Sequence, residues 1–430
     1  METAINRALS LNNQVKASDY ALKQAAWDKR RAWTMLFPVL TFNSRYTWID
    51  DSTFALRDFS RYFQDPNLPF TIPQTVFQES YVSSFDLSMP IFNGNLINGL
   101  SIASTNEDLF SKQNIYTRDN IIFQVIKSYL SVLKSQEVLR LQNEYLNLSQ
   151  LNYEKALRLF EAGRWSKSDA LRWQIELQKQ KSSVISSETN LSNTIAVLNR
   201  LLNFNVHQEL NIEKRIPAHL EMQANEIQQK NKNELFNEIL LSDDELVTVN
   251  AALNAVMLGE KMSRLQYKNA YSGFMPRISL DYSYSWRENN TIALDDYSPQ
   301  TLMINFSLPL FSSFQDYTAV KSSYYAYKKN QEEYYDQIKN TRLILTETVN
   351  KILNIKTQME LSKLNVEFNQ LNYNTIETQR EKGLASNIDF VDAKVNLQNA
   401  LLEDVSNRYD FTSAVVELYY LLGKIHKLVE

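Results

Sequence analysis

The feature that most constrains the fold is a set of segments that occur twice in the same order. The first segment is PVLTFNSRYTW, which begins at Pro38, and its partner is PRISLDYSYSW, which begins at Pro276. In each, the tryptophan follows the proline by ten positions. The second segment is FDLSMPIFNG from Phe85, and its partner is INFSLPLFSS from Ile304. Such a duplicated order indicates one structural unit built twice.

Two further pairs continue this order. YEKALRLFEAGRWSKSDAL begins at Tyr153 and YNTIETQREKGLASNIDFV at Tyr373, while LNRLLN at Leu198 corresponds to LYYLLG at Leu418. Both pairs are 220 residues apart. The chain is therefore expected to divide into a first repeat, an inter-repeat segment, a second repeat and a C-terminal tail. These cover 1–203, 204–242, 243–423 and 424–430.

The proline-flanked segments alternate apolar and polar residues. In the first, Leu40, Phe42 and Tyr46 fall on one side, and Thr41 and Asn43 on the other. Strict alternation is typical of a β-strand with one apolar and one wet face. The predicted strands cover about 39–48, 84–92, 277–286 and 302–311.

Strands of about ten residues are long enough to cross a membrane in a β-barrel. Aromatic residues stand near the strand ends, where barrels carry their interfacial girdles; the candidates are Tyr46, Trp48, Tyr284 and Trp286. Four strands are too few to close a barrel, since about eight is the practical minimum, whereas three chains would supply twelve. The alternative is a pair of ordinary surface hairpins packed on a helical core.

The first copy carries 19 more residues between its two alternating segments than the second copy. The extra residues fall within 49–80 and include Pro66, Pro69 and Pro73. Prolines at this density are typical of an exposed loop, which is what we expect here.

Long helices account for most of the remaining sequence. The chain has only 7 glycines and 9 prolines, and 96–161 contains no proline. A helix of that length extends about 100 Å at about 1.5 Å per residue. Apolar residues recur at spacings of three and four, as in Leu191, Ile195, Leu198 and Leu202, which indicates side-by-side coiled-coil packing.

Gly163 and Gly383 interrupt these helices. Glycine suits the left-handed residue that ends a helix, and Ser166 and Ser386 can cap the helix that follows. Each glycine is therefore predicted to mark a tight helical hairpin, at the end farthest from the strands.

Composition argues against several functional classes. There is no cysteine, the three histidines are isolated, and no glycine-rich phosphate loop or nucleophile elbow occurs. We expect no enzyme activity, cofactor or metal site. The 45 basic and 49 acidic residues are scattered, so nucleic acid is not an expected partner. No run of about 20 apolar residues occurs, and the absence of an export signal at Met1 suggests a mature or engineered form.

Together these segments resemble the outer-membrane efflux protein family of TolC-like channels. The proline-flanked strands and the Tyr-x9-Gly-x5-Asp hairpins at 153–169 and 373–389 carry the resemblance. It implies an α+β membrane protein, with four transmembrane strands per chain in a trimeric 12-stranded β-barrel. It also implies a periplasmic tube of coiled-coil helices, with 204–242 in an equatorial region.

The resemblance further implies a bacterial outer-membrane location and a passive exit duct for efflux or type I secretion. The expected partners are two further copies of the chain, outer-membrane lipid, a periplasmic adaptor protein and an inner-membrane transporter. The alternative is a periplasmic coiled-coil protein, structural or adaptor-like, that forms no channel. The substrate is left open.

The family's periplasmic gate maps onto Asp389 and Asp392. Their spacing of three places both carboxylates on one helical face, and three chains would gather six of them. The alternative is that Asp389 caps the helix and Asp392 is merely solvated. The resemblance also implies a latch between Arg380 and Asp169, here an ion pair. It places adaptor docking at the hairpin tips, at Gly163, Arg164, Gly383 and Leu384.

Overall fold

The computed structural model describes residues 1–58, 76–213, 215–288 and 299–429. The elements in the first part are α1 (Glu2–Leu11), α2 (Asn13–Thr34), β1 (Val39–Trp48), α3 (Asp51–Arg57), β2 (Glu79–Asn93), α4 (Gly94–Glu161) and α5 (Lys167–Leu201). Shorter helices follow: α6 (Ala218–Gln229), α7 (Lys232–Ile239), α8 (Asp243–Val249) and α9 (Ala251–Ala270). The last elements are β3 (Arg277–Glu288), β4 (Gln300–Ser307), α10 (Gln315–Glu381) and α11 (Asn387–Leu421).

The two long-helix pairs have nearly equal lengths. α4 and α10 contain 68 and 67 residues, and α5 and α11 contain 35 each. Among the helices in the described part of the chain, none is both long enough and apolar enough to cross a membrane.

The four strands form one antiparallel sheet in the order β1-β2-β3-β4. β1 has the predicted bounds. β2 extends beyond the predicted 84–92 because it pairs with β1 on one side and with β3 on the other. Pro90 lies within β2 at an irregularity of the pairing with β3, as expected for a residue that has no N–H to donate.

Two expectations about this region were wrong. β4 ends at Ser307, so the predicted strand over 302–311 is too long at its C-terminal end; Pro309 follows there, and it has no N–H for a ladder. The insert in the first copy is not wholly a loop, because α3 begins it and is capped by the Asp50 carboxylate. Its prolines, Pro66, Pro69 and Pro73, lie outside the described residues.

The sheet has one apolar and one polar face, as the alternation predicted. Phe42 pairs with Phe85, and Phe85 with Tyr284, across three strands. On the opposite face two carboxylates accept hydrogen bonds from neighbouring strands. Asp86 accepts from Asn43 (2.7 Å) and Ser283 (2.6 Å), and Asp281 accepts from Ser88 (2.5 Å) and Asn305 (2.6 Å). The polar side chains therefore hold one another in register.

The chain forms two compact units. The first comprises Met1–Lys23, Leu109–Leu258 and Glu332–Glu430, and the second comprises Gln24–Asp108 and Gly259–Gln331. The first unit contains a large apolar core in which the long helices meet α1, α6, α7 and α8. The C-terminal residues are not a free tail, because Ile425 and Leu428 are fully buried in that core. The second unit contains the sheet.

Candidate functional site

The two hairpin turns have the same backbone. Gly163 has φ +68°, its N–H donates to the Phe160 carbonyl (2.9 Å), and the Arg164 N–H donates to the Leu159 carbonyl (2.8 Å). This hydrogen-bond pattern is a Schellman motif, which favours glycine because the left-handed residue has no Cβ to clash.

The second turn repeats this pattern. Gly383 has φ +75°, its N–H donates to the Arg380 carbonyl (3.0 Å), and the Leu384 N–H donates to the Gln379 carbonyl (2.8 Å). Both tips are open to solvent. A Cβ added at either glycine would meet nothing within 4 Å, and Leu384 is 76% exposed.

The helix after each turn begins with a capping box, as predicted for Ser166 and Ser386. The Asp169 N–H donates to the Ser166 hydroxyl (3.1 Å), and the Ser166 N–H donates back to the Asp169 carboxylate (3.3 Å). The corresponding distances for Ser386 and Asp389 are 3.2 and 3.1 Å. Two N–H groups at each helix start are thereby satisfied.

These bonds stabilise the charged form of each aspartate. The hydrogen bond from the Ser166 hydroxyl is the main cause that lowers the pKa of Asp169. The hydrogen bond from Ser386 likewise lowers the pKa of Asp389. Both carboxylates are therefore ionised at neutral pH.

The two candidate gate residues have different local roles. Asp389 is the acidic member of the capping box, so it caps the helix as the alternative interpretation of the sequence proposed. Its side chain is nevertheless exposed. Asp392 is exposed one turn later. The position of Asp392 is matched in the first hairpin by Arg172. Within one chain the acidic face belongs to the second hairpin alone.

The predicted ion pair between Arg380 and Asp169 does not form among the described contacts of the single chain. The Asp169 carboxylate accepts hydrogen bonds from Ser166 in its own capping box. It also accepts a long hydrogen bond, 3.4 Å, from the Asn387 amide. Arg380 donates to the Asn152 side chain (3.2 Å), and its guanidinium lies 3.8 Å from the centre of the Phe390 ring. Two hydrogen bonds between the hairpins, Asn387 to Asp169 and Arg380 to Asn152, therefore take the place of the one predicted ion pair.

An aromatic cluster lies directly behind the tips. Trp173 and Phe390 are almost fully buried, with ring centres 6.1 Å apart, and Tyr373 packs on Phe390 at 5.4 Å. Burial lowers the pKa of Arg380, which lies over this cluster. The guanidinium keeps its charge, because its ordinary pKa is far above neutral pH.

A row of buried polar side chains follows the aromatic cluster. Lys394 is fully buried; its ammonium lies 3.2 Å from the Glu176 carboxylate and donates to the Ser149 hydroxyl. One helical turn further on, Gln180 and Gln398 exchange amide hydrogen bonds of 2.9 and 3.1 Å. Burial lowers the pKa of Lys394, and Glu176 opposes that effect.

Sequence reasoning missed this row, although a signal was available. Glu176 and Gln180 are four residues apart, and so are Lys394 and Gln398. A helical projection places each pair on the same face as buried apolar neighbours such as Leu177 and Leu397.

The predicted girdle residues lie in the sheet. Tyr46 and Trp48 are 53% and 57% exposed. Tyr284 and Trp286 are half-buried and contact each other edge to face, with ring centres 4.6 Å apart.

Comparisons with known proteins match this architecture. The family described as Outer membrane efflux protein matches residues 244–424. The chain is 21% identical over 360 residues to the alkaline protease secretion protein AprF of Pseudomonas aeruginosa, covering 80% of this chain and 70% of that protein. It is 19% identical over 319 residues to outer membrane protein TolC of Vibrio cholerae, covering 72% and 69%.

A solved structure has the same fold. The outer membrane protein VceC from Vibrio cholerae aligns with a TM-score of 0.80 at 13% identity, covering 98% of this chain and 95% of that one. The predicted resemblance to the outer-membrane efflux protein family is confirmed, as is the bacterial outer-membrane location.

Proposed function

We propose that this chain, a relative of the outer membrane efflux proteins, forms with two further copies a passive exit duct through the outer membrane. The observation that carries the proposal is the open four-stranded sheet with opposite faces of opposite polarity. Its apolar side chains are exposed in the single chain; Leu40, Phe42, Ile304 and Phe306 are each more than half exposed. A surface of this kind requires lipid or protein against it.

The strand order supports closure by other copies. Among the strands of the described residues, β1 and β4 each have one neighbour. Each therefore presents an edge of N–H and C=O groups that a membrane does not tolerate unpaired. Because four is an even number, β4 of one copy can pair antiparallel with β1 of the next. Three copies would give twelve strands, within the range of known barrels.

The polar face would then line the duct. Serine, threonine and asparagine side chains around Asp86 and Asp281 make a polar surface suited to hydration. Such a lining suits a passage whose selectivity is set by an inner-membrane transporter and a periplasmic adaptor. The alternative, a periplasmic coiled-coil protein without a channel, gives no role to the exposed apolar face.

Phe42→Arg and Thr41→Arg test the proposal as a matched pair. They place the same cation on adjacent residues that face opposite sides of β1. A cation on a lipid face costs about 2–4 kcal/mol near the bilayer midplane, whereas Thr41→Arg would lie opposite Asp86 on the wet face. We expect wild type and Thr41→Arg to require detergent and to have a trimer mass by light scattering, and Phe42→Arg to lose trimer. A chain that is monomeric and soluble without detergent would contradict the proposal.

We further propose that Asp389 and Asp392 gather around the threefold axis as a periplasmic gate. Asp392 is the stronger contributor, since its carboxylate is not part of the capping box. Six carboxylates at close range would repel one another and attract cations. Asp392→Asn should therefore reduce cation selectivity and block by divalent cations more than Asp389→Asn in single-channel recordings.

The hairpin tips are proposed to dock the periplasmic adaptor. Both turns are exposed and alike, and each carries a distinct side chain after its glycine, Arg164 or Leu384. Substituting Gly163 or Gly383 would strain the left-handed turn. Arg164→Glu and Leu384→Ser are therefore the preferred variants, because they change the exposed side chain and leave the turn glycine in place. We expect them to lose adaptor co-purification while keeping the trimer mass; unchanged adaptor binding would exclude the tips.

A further inference from the structure

A cavity of about 450 Å³ lies between the end of α9 and the start of α10. Its wall is mainly aromatic, with one charged side chain; the residues that form it include Tyr267, Tyr271, Phe274, Tyr317, Lys321 and Tyr324. The volume is in the range of small-molecule sites, which are about 300–1,000 Å³. All of these residues belong to the unit that contains the sheet.

Tyr267 organises the wall. Its ring centre lies 5.4 Å from that of Tyr271 and 5.5 Å from that of Tyr324, both edge to face. The hydroxyls of Tyr267 and Tyr271 are 2.9 Å apart and hydrogen-bonded. One of these two hydroxyls donates to the other, so only one of the two donors remains for a ligand.

The cavity has one cationic side chain in its wall. Among its described lining residues Lys321 is the one lysine, arginine, aspartate or glutamate, and its ammonium lies 5.7 Å from the centre of the Tyr317 ring. The nearby carboxylate of Asp316 packs against the backbone of Gly273, where an added Cβ would lie 2.1 Å from it. A cation and phenol hydroxyls beside aromatic rings match a ligand with an anionic head and an apolar body.

The position of the cavity favours one kind of ligand within that class. Phe274 precedes β3 by three residues, and α10 begins eight residues after β4 ends. The cavity therefore lies where the helices join the strands. If those strands cross the outer membrane, as the proposed function requires, this junction lies at the level of the periplasmic headgroups.

We propose that this cavity binds an anionic phospholipid of the periplasmic leaflet. Lys321 and the tyrosine hydroxyls contact the phosphate, and the rings pack against the glycerol and the first acyl carbons. The inference rests on the proposed function and adds a specific lipid site to it.

The corresponding region of the first copy has different chemistry. Aligning Pro38 with Pro276 places Lys29 at the position of Tyr267, and aligning Pro90 with Pro309 places Thr105 at that of Tyr324. Lys29 is neutralised there by Glu107, at 2.7 Å. The lipid site is therefore specific to the second copy, and Lys29→Gln provides a matched control.

Native mass spectrometry of the detergent-solubilised protein tests the proposal. Phosphatidylglycerol and phosphatidylcholine are titrated separately into wild type, Lys321→Gln, Tyr324→Ala and Lys29→Gln. We expect Lys321→Gln to weaken phosphatidylglycerol binding about tenfold, the usual scale for one charge-assisted hydrogen bond. Tyr324→Ala should weaken binding of both lipids, and Lys29→Gln should change neither. Inorganic phosphate should not displace the bound lipid.

Equal phosphatidylglycerol binding by wild type and Lys321→Gln would overturn the proposal. So would a Tyr324→Ala variant that dissociates into monomers with unchanged lipid binding, because another copy of the chain would then cover the cavity. Failure of the proposed function would be seen earlier and separately, as a chain that needs no detergent before any lipid is added.

Discussion

The two hairpin turns share one backbone and differ in the side chains around it. Both use a left-handed glycine and a Ser-x-x-Asp capping box with nearly equal distances. Matched by their glycines, the first hairpin has Phe160 and Arg172 where the second has Arg380 and Asp392. The shape of the turn is therefore fixed by a few local residues, which leaves its charge free to differ between the two repeats.

The two hairpins also depend on each other below the tips. The first contributes Glu176 and Trp173, and the second contributes Lys394 and Phe390. The buried cation, Lys394, belongs to the second hairpin and the buried carboxylate, Glu176, to the first. Each hairpin therefore needs the other to neutralise its buried charge. The differences between the copies are therefore complementary.

The largest expected effect comes from separating that ion pair. Lys394→Met leaves the Glu176 carboxylate buried without its cation, which costs about 3–5 kcal/mol. Glu176→Met combined with Lys394→Met removes both charges, and we expect it to recover most of the loss. Guanidinium unfolding followed by circular dichroism measures both; a double variant as unstable as the single one would contradict this account.

The same lysine gives a pH dependence with a definite sign. Its pKa in the folded chain lies below the ordinary 10.5. Between those two values the unfolded chain binds more protons, so folding stability rises with pH across that window. The contribution of Lys394 to this rise should be absent in Lys394→Met.

A smaller effect is expected at Arg380. Arg380→Ala removes the guanidinium from the Phe390 ring and its bond to Asn152, together about 2 kcal/mol. Phe160→Ala, the matched change in the first hairpin, should cost less because that ring is 38% exposed. Thermal melting ranks the two variants. Single-channel conductance of Arg380→Ala also tests whether contacts between the hairpins restrain the gate, and unchanged conductance would remove that role.

The hairpin turns could be predicted from the sequence, whereas the buried contacts behind them could not. The glycine turns, the serine caps and strand β1 depend on neighbours within a few residues, so their signals are local. The Lys394–Glu176 pair joins residues 218 apart, and recognising it requires the axial alignment of two helices. The pair between Arg380 and Asp169 is implied by the resemblance alone. The sequence does not show how the two hairpins align along their axes, so it could not identify Asn387 and Asn152 as the nearer partners.

The strand boundaries show a second limit. Pro90 and Pro309 occupy matched positions in the sequence, and both were assigned to strands. Pro90 is accommodated in β2, which has neighbours on both sides, whereas β4 ends before Pro309. The same residue has different consequences because pairing partners, which alternation does not specify, decide where a strand stops.

Exchanging the charges at the matched positions Arg172 and Asp392 tests whether the gate belongs to the second hairpin. Asp392→Arg gives the second hairpin the cation of the first, and we expect cation preference to fall about tenfold, roughly 1.4 kcal/mol. Arg172→Asp makes the reciprocal change and should leave cation preference intact or raise it. Reversal potentials across a salt gradient measure both. Equal shifts in the same direction would contradict the assignment of the gate to the second hairpin.

The smallest expected effect tests whether the two caps are equivalent. Ser166→Ala and Ser386→Ala each remove one capping hydroxyl, worth about 1 kcal/mol, and should speed hydrogen exchange in the first turn of α5 and α11 equally at neutral pH. The folded pKa of Asp389 lies below its ordinary 3.8. Its stabilising contribution is therefore present above that value and is lost as pH falls through the folded pKa. The exchange difference between wild type and Ser386→Ala should shrink in acid but not vanish, because the Asp389 N–H still donates to the Ser386 hydroxyl. A difference of unchanged size in acid would mean that the carboxylate adds nothing to the cap.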